Sequence, residues 1–161
     1  MAHAARDIGG EVGVPDGRGE KKVNSSNLAA EFYVASQLYR LGYQALITYS
    51  NMKAIDIVVV HPDGRKASID VKSLKNTTNW PFTPGHKAHD HFYVLVCYHN
   101  KYSDLTTSPE VYVVPSAEIG GLLEEWGGPA HSKQRCVGYP TIRKHPEYKD
   151  AWHMLFGPQA G

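Results

Sequence analysis

The chain has 161 residues and a formal net charge of +1. That length predicts one domain with a full hydrophobic core, and the near-neutral charge excludes a protein that grips nucleic acid through bulk positive charge, so any phosphate-binding surface must be local. Two cysteines, Cys97 and Cys136, are too few for a zinc or disulfide framework, and no signal-like or membrane-length apolar run interrupts the sequence, which together predict a protein of the reducing cytoplasm with no membrane partner.

Residues 1–22 are rich in Gly, Ala and charge, with no sustained periodicity. They read as a flexible N-terminal tail, ending in Lys21 and Lys22, ahead of a single domain over residues 23–161. A helix follows. Ser25, Ser26 and Asn27 offer its N-cap and Gly42 its stop. At about 100° per residue, Leu28, Ala30, Phe32, Val34, Ala35, Leu38, Tyr39 and Leu41 fill one broad apolar arc, and Tyr33, Ser36, Gln37 and Arg40 fill the other. Glu31 falls near the middle of the apolar arc, where a carboxylate is out of place. Attraction to the helix dipole in the first turn accounts for its place along the helix but not around it. A carboxylate aimed at a sheet accounts for both.

Tyr43 to Tyr49 reads as a strand, and Ser50, Asn51 and Met52 turn the chain into a hairpin, Ala54 to Ser73. Its two runs are β-branched and alternating, and they flank His61-Pro62-Asp63-Gly64-Arg65. Pro62 and Asp63 suit the corners of a type I turn, and Gly64 suits the left-handed residue that closes a three-residue loop. This loop pairs His61 with Arg65, and counting back places Asp56 opposite Asp70. Opposed residues share a face with Cβ atoms about 4.5–5.5 Å apart. Lys72, two residues on, points the same way.

Leu74 to Asp90 lacks periodicity and reads as a long loop beside the hairpin end, carrying Lys75, Trp80, Pro81, Phe82, His86, Lys87 and His89. Its cations and aromatic faces suit phosphates and bases; Trp80 and Phe82 equally suit a small satellite core. His86, His89 and His91 do not follow a zinc spacing. His91 to Tyr98 is a strand apolar enough to be buried on both faces, with Cys97 as a core residue. Asn100 to Pro109 is a polar loop, Glu110 to Val114 a further strand, and Ser116 to Trp126 a short helix weakened by Gly120-Gly121. Residues 129–145 form the most basic stretch, with Lys133, Arg135, Arg143 and Lys144, suited to phosphate contact or to a solvated loop. Pro146 opens a last helix with Tyr148, Trp152, Leu155 and Phe156 on one face, ended by Gly157-Pro158. The order of elements implies a mixed sheet with helices packed on it.

Asp56, Asp70 and Lys72 thus converge within otherwise apolar strands. Close carboxylates repel and are costly to bury, and a divalent cation relieves both penalties. An ion-pair ladder on a solvated sheet face is the other reading. Glu31 on the first helix, Asp56 on a strand and Asp70-Val71-Lys72 on the next resemble the PD-(D/E)XK nuclease superfamily. The resemblance covers residues 25–73, with compatible elements to about residue 126. Ile55 stands where the motif name has proline, and Asp70 is an allowed variant of the second acid. The resemblance implies an α/β fold with a restriction-endonuclease-like core, a mixed central sheet flanked by helices. It also implies a DNA endonuclease activity using Mg²⁺, with Mn²⁺ as a substitute. Asp56 and Asp70 would bind the metal, Glu31 would do so directly or through water, and Lys72 would act on the water or the phosphate. Lys75, Trp80, Lys87, Arg143 and Lys144 are the candidate nucleic-acid contacts, and a homodimer is the expected assembly of such small nucleases. The alternative is a nucleic-acid-binding or assembly module that keeps the fold with little turnover.

Overall fold

In the computed structural model, which describes residues 25–48, 55–83, 88–126 and 134–157, the alternating runs of the sequence pair into a mixed sheet. Its strands are β1 (Gln44–Ile47), β2 (Ile57–Val60), β3 (Lys66–Leu74), β5 (His91–Cys97) and β6 (Glu110–Pro115), in the order β1-β2-β3-β5-β6. Neighbours are antiparallel except β3 and β5, which run parallel. The fold is therefore α/β with a mixed five-stranded sheet, as expected. The tail over residues 1–22, His86, Lys87 and Lys133 lie outside the described residues.

The hairpin forms as its turn chemistry dictates. His61 N–H donates to the Arg65 carbonyl at 2.9 Å, and Gly64 N–H donates back to the His61 carbonyl at 2.8 Å. Gly64 takes a φ of +92°, a conformation that side chains with a Cβ rarely adopt. The Asp63 carboxylate locks the corner by accepting from Arg65 N–H at 3.0 Å. The ladder runs from Val60 opposite Lys66 to Ile57 opposite Ile69, and Asp56 follows at its end.

Helix α1 (Ser25–Arg40) packs on one sheet face through Ser26, Ala30, Val34, Ala35 and Leu38. It meets Ile57, Val59, Ile69, Val71, Val94 and Val96 there. The buried stripe is narrower than the expected arc. Phe32 and Tyr39 are 50% and 57% exposed, Leu28 and Leu41 are exposed as well, and Tyr33, expected on the polar side, is half-buried. The reason is geometric: a single ridge at spacing four, 26-30-34-38, seats on the sheet, and its small residues let the helix come close.

The opposite sheet face carries Leu74, Tyr93, Leu95, Cys97, Tyr112 and Val114, packed with Trp80, Phe82 and Val137. These last come from a second, three-stranded sheet, in the order β4-β8-β7, of β4 (Asn79–Phe82), β7 (Glu124–Glu125) and β8 (Arg135–Gly138). All seven residues of β5, lying between the two layers, are buried.

Four expectations are corrected here. The stretch after Leu74 is not all loop, because Trp80 and Phe82 alternate inward as β4 while Pro81, on this edge strand, stays exposed. The helix expected over Ser116 to Trp126 shrinks to a 3-10 turn, Ile119–Leu122, before β7, since Gly120-Gly121 cannot sustain a helix. The basic stretch after residue 129 holds β8 and a one-turn helix α2 (Tyr139–Ile142). The last helix breaks into two 3-10 turns, Pro146–Tyr148 and Trp152–Leu155. Between them Lys149 bridges to Tyr112 on edge strand β6. Asp150, at φ +49°, donates its N–H to the Val111 carbonyl at 3.0 Å. That extra sheet contact draws the backbone out of the helical path.

Candidate active site

The site grows from an unequal pairing. Strand β3 continues past the end of β2, so its β2-facing amides beyond Ile69 need other partners. Asp56 N–H donates to the carbonyl of Ile69 at 2.8 Å, the residue already paired with Ile57, so two residues of the hairpin's first run face one of β3, a β-bulge. Val71 N–H then donates to the Asp56 carboxylate at 2.7 Å. Ser73 N–H donates to the Asn27 side-chain carbonyl at 3.0 Å, and the Ser73 hydroxyl donates to the same oxygen at 2.6 Å. Two side chains thus replace the missing strand, one from the hairpin and one from α1. They fix Asp56 against β3 and pin the start of α1 to the strand that carries Asp70 and Lys72.

Asp70 and Lys72 alternate onto the face away from α1. The Lys72 ammonium lies 3.6 Å from the Asp70 carboxylate and 4.9 Å above the Phe82 ring. Both side chains are mostly covered, at 24% and 20% exposed. The regular pairing expected of Asp56 with Asp70 stops one residue short, at Ile57 and Ile69, yet the two carboxyl groups come close enough to interact. Burial raises the Asp70 carboxyl to a pKa of about 6; Lys72 opposes this and the Asp56 charge adds to it. Tyr93, opposite Asp70 in the parallel ladder, is likewise raised by burial and by the Asp70 charge.

A carboxylate aimed from the helix at the sheet would be expected to approach the face that carries Asp70 and Lys72, and this expectation is corrected. Helix α1 packs on the other face, so Glu31 belongs to an element across the sheet from Asp70 and Lys72. The helix begins at Ser25, so Glu31 sits in the second turn, beyond the dipole's main reach. It still belongs to the cluster electrostatically. Burial raises its carboxyl to a pKa of about 7, and the charges of Asp56 and Asp70 add to the shift. Among the described residues, no three His, Cys, Asp or Glu side chains come close enough to enclose a metal ion by themselves.

The outer candidates divide. Trp80 is fully buried and offers no face to a base, so it is a core residue of the second layer. Lys75 is exposed and stands 4.5 Å above the Tyr102 ring, on the α1 side. Arg143 and Lys144 are exposed just past α2, with Arg143 6.0 Å over the Tyr139 ring. Neither pair joins the carboxylates. Lys87 lies outside the described residues, as does His86, while exposed His89 and buried His91 diverge. Sequence reasoning missed Asn27 as the anchor of β3, because its position before an apolar run reads as a helix cap. It also missed Phe82 as the platform of Lys72, for want of a strand assignment.

With that geometry in place, a solved structure can be set beside it. The fold resembles that of a bacterial homing endonuclease, I-Ssp6803I. The likeness covers 83% of this chain and 93% of that one at a TM-score of 0.55, with 15% sequence identity. No protein-family model and no curated protein matches the chain. Among the described residues no helix is long and apolar enough to cross a membrane.

The Asn27 anchor is testable. Asn27→Ala leaves the half-buried Ser73 amide without its acceptor, while the Ser73 hydroxyl keeps Ser26 at 3.0 Å, and an orphaned buried donor costs about 1–3 kcal/mol. The expected result in urea unfolding is a lower midpoint with an unchanged slope.

Proposed function

We propose that the chain is a divalent-metal-dependent nuclease of the PD-(D/E)XK type that hydrolyses DNA phosphodiester bonds. The observation that carries this reading is the Asp56–Asp70 pair with the Lys72 ammonium 3.6 Å from Asp70, held at the open edge of a strand in an otherwise apolar sheet. The 83% fold coverage against a homing endonuclease supports it.

The carboxylates fit a metal of the Mg²⁺ class. Magnesium commonly takes one or two protein carboxylates and completes its shell with waters and substrate phosphate, which suits a donor set that does not close on itself. The elevated Asp70 and Glu31 carboxyls point the same way, since burial and the neighbouring carboxylate charges that raise them are what a cation would relieve. Asp56 and Asp70 would hold the ion and Glu31 would act through water; Mn²⁺ shares the preference for oxygen donors. When bound, the ion would lower the pKa of the attacking water and polarise the phosphoryl oxygen.

The chain's own residues divide the remaining work. Asp56 spends one oxygen on Val71 N–H, which fixes its orientation and leaves the other oxygen for a ligand. Asp70 and the Phe82 ring hold the Lys72 ammonium from two sides. Lys72 is therefore positioned to meet a phosphate oxygen or a water without first losing side-chain freedom. The ion-pair-ladder reading is disfavoured because Lys72 does not offset the cost of burying Asp70, whose carboxyl remains well above its usual range.

The test is a cleavage panel of supercoiled, linear, branched and single-stranded DNA, with RNA in parallel, in Mg²⁺, Mn²⁺, Ca²⁺ and EDTA. Cutting of DNA in Mg²⁺ or Mn²⁺ that EDTA stops is the expected result. No cutting of any substrate in either metal overturns the reading.

A further inference from the structure

We propose that a tyrosine-lined cleft on the far flank of α1 binds an unpaired nucleotide, its base against the tyrosine faces and its phosphate at Lys75. The proposal rests on the nucleic-acid reading of the carboxylate site and names the substrate feature that the site's surroundings would select.

The cleft holds about 480 Å³, within the range of about 300–1,000 Å³ typical of small-molecule sites. It lies at the carboxyl ends of β3 and β5, the parallel pair, where ligands of open α/β sheets characteristically bind. Its walls include Tyr33 from α1, Tyr98 just past β5, and Tyr102, Leu105 and Ser108 from the following loop. Ala29 and Tyr33 are each two residues from Glu31, about 200° around the helix, so the cleft and the carboxylates flank α1 on opposite sides.

The walls are preorganised. Tyr98 and Tyr102 meet edge to face, with centroids 4.9 Å apart at 88°. The Tyr102 hydroxyl donates to the Ser25 carbonyl at 3.1 Å and ties the loop to the start of α1. The loop is braced internally by Asp104, which accepts from Thr106 N–H at 3.0 Å. Its entry passes through two residues in the left-handed region, His99 at φ 51° and Asn100 at φ 62°, a conformation that side chains with a Cβ adopt at a cost.

Two features select the occupant. Lys75, just past the end of β3, places a cation 4.5 Å above Tyr102. A cation at the rim of aromatic faces matches a nucleotide with phosphate and base both engaged. Leu105 is 95% exposed on this braced loop. An apolar side chain held in solvent by ordered backbone is suited to wedge into a base stack and fill the space an extruded base leaves. A paired base cannot enter the cleft, so the selected feature is a bulge, a gap or a single strand.

The experiment uses the full chain in EDTA, which stops metal-dependent cutting, and a DNA duplex carrying one bulged 2-aminopurine. The controls are the same duplex fully paired and an isolated single strand. Base–aromatic stacking predicts that the bulged duplex binds at least tenfold tighter than the paired one, with its fluorescence quenched. Tyr33→Ala should lose about tenfold of that affinity, and Tyr33→Phe, which keeps the ring, should retain it. Leu105→Ser, at a position with almost no buried surface, should weaken selection of the bulge over the single strand without moving the melting temperature. Equal affinity for bulged and paired duplexes overturns the proposal, as does equal binding by Tyr33→Ala and Tyr33→Phe, and either result indicates a cleft for an apolar peptide or for no ligand. Such failure alongside metal-dependent cutting by the same preparation leaves the nuclease reading standing, while selective binding without cutting in any metal removes that reading and keeps the cleft.

Discussion

Lys72→Ala should cut the metal-dependent cleavage rate by about 10²–10³ while leaving affinity for DNA in Ca²⁺ within a few fold. Preorganised charges that act on the transition state contribute on that scale, and an interaction made mainly there lowers turnover rather than binding. The geometry adds a second consequence that must be separated from the first. The Lys72 charge, 3.6 Å away, holds the Asp70 carboxyl lower than burial alone would leave it. Removing the lysine therefore pushes Asp70 further up and weakens metal binding near neutral pH. Assays at pH 8.5 with saturating Mg²⁺ restore the ionised Asp70, so the loss of rate that persists there belongs to Lys72 itself. Lys72→Arg should not rescue, because a guanidinium is broader, does not release its proton and must fit between Asp70 and the Phe82 ring. Equal rates for wild type and Lys72→Ala under these conditions would defeat the proposed role.

The hairpin was readable because its chemistry is local. Pro62, Asp63 and Gly64 specify one loop length, loop length sets register, and register sets Ile57 against Ile69, with Asp56 and Asp70 next along the two strands. Strand β5 was readable for a similar reason, since an unbroken apolar run is the signature of burial on both faces. The second sheet was hidden. Strand β4 spans four residues, one of them proline, and β7 only two, so neither shows a period. The pairing of β4 with β8 crosses more than fifty residues of chain, a separation at which local pattern carries no information. Trp80 stays open between ligand contact and core in the sequence for this reason, as an aromatic residue in apparent loop suits either. The face from which Glu31 approaches was equally illegible. Helical periodicity places Glu31 beside the buried ridge, but which side of the sheet receives that ridge is decided by packing, not by the residues of α1. The exposed Phe32 and Tyr39 carry the same lesson, because hydrophobicity fills an arc while a sheet covers only a stripe.

Asp70→Asn should abolish cleavage and leave the metal-free protein at least as stable as wild type above pH 7. The sign follows from linkage. The folded-state carboxyl, at about 6, lies above its ordinary 3.8, so the fold favours the protonated acid. Whatever stability that preference contributes is fully present below pH 4 and is lost as pH rises through 6. Glu31 acts in the same sense, over a window ending near pH 7. Metal-free wild type should therefore lose stability between about pH 4 and pH 7 from these two groups, and Asp70→Asn should lose less. In a chain of this size each kcal/mol spared raises the melting temperature by about 2–4 °C. Added Mg²⁺ at pH 7.5 should raise the melting temperature of wild type, because a ligand that binds only the folded state stabilises it by mass action. The same addition should leave Asp70→Asn unmoved, since an amide replaces the charged oxygen that the ion would meet. Thermal melts of both proteins at pH 5 and pH 7.5, with and without Mg²⁺, read all of these effects together. A variant that melts well below wild type at pH 7.5 and still responds fully to Mg²⁺ would identify Asp70 as the structural partner of Lys72, not as a metal ligand.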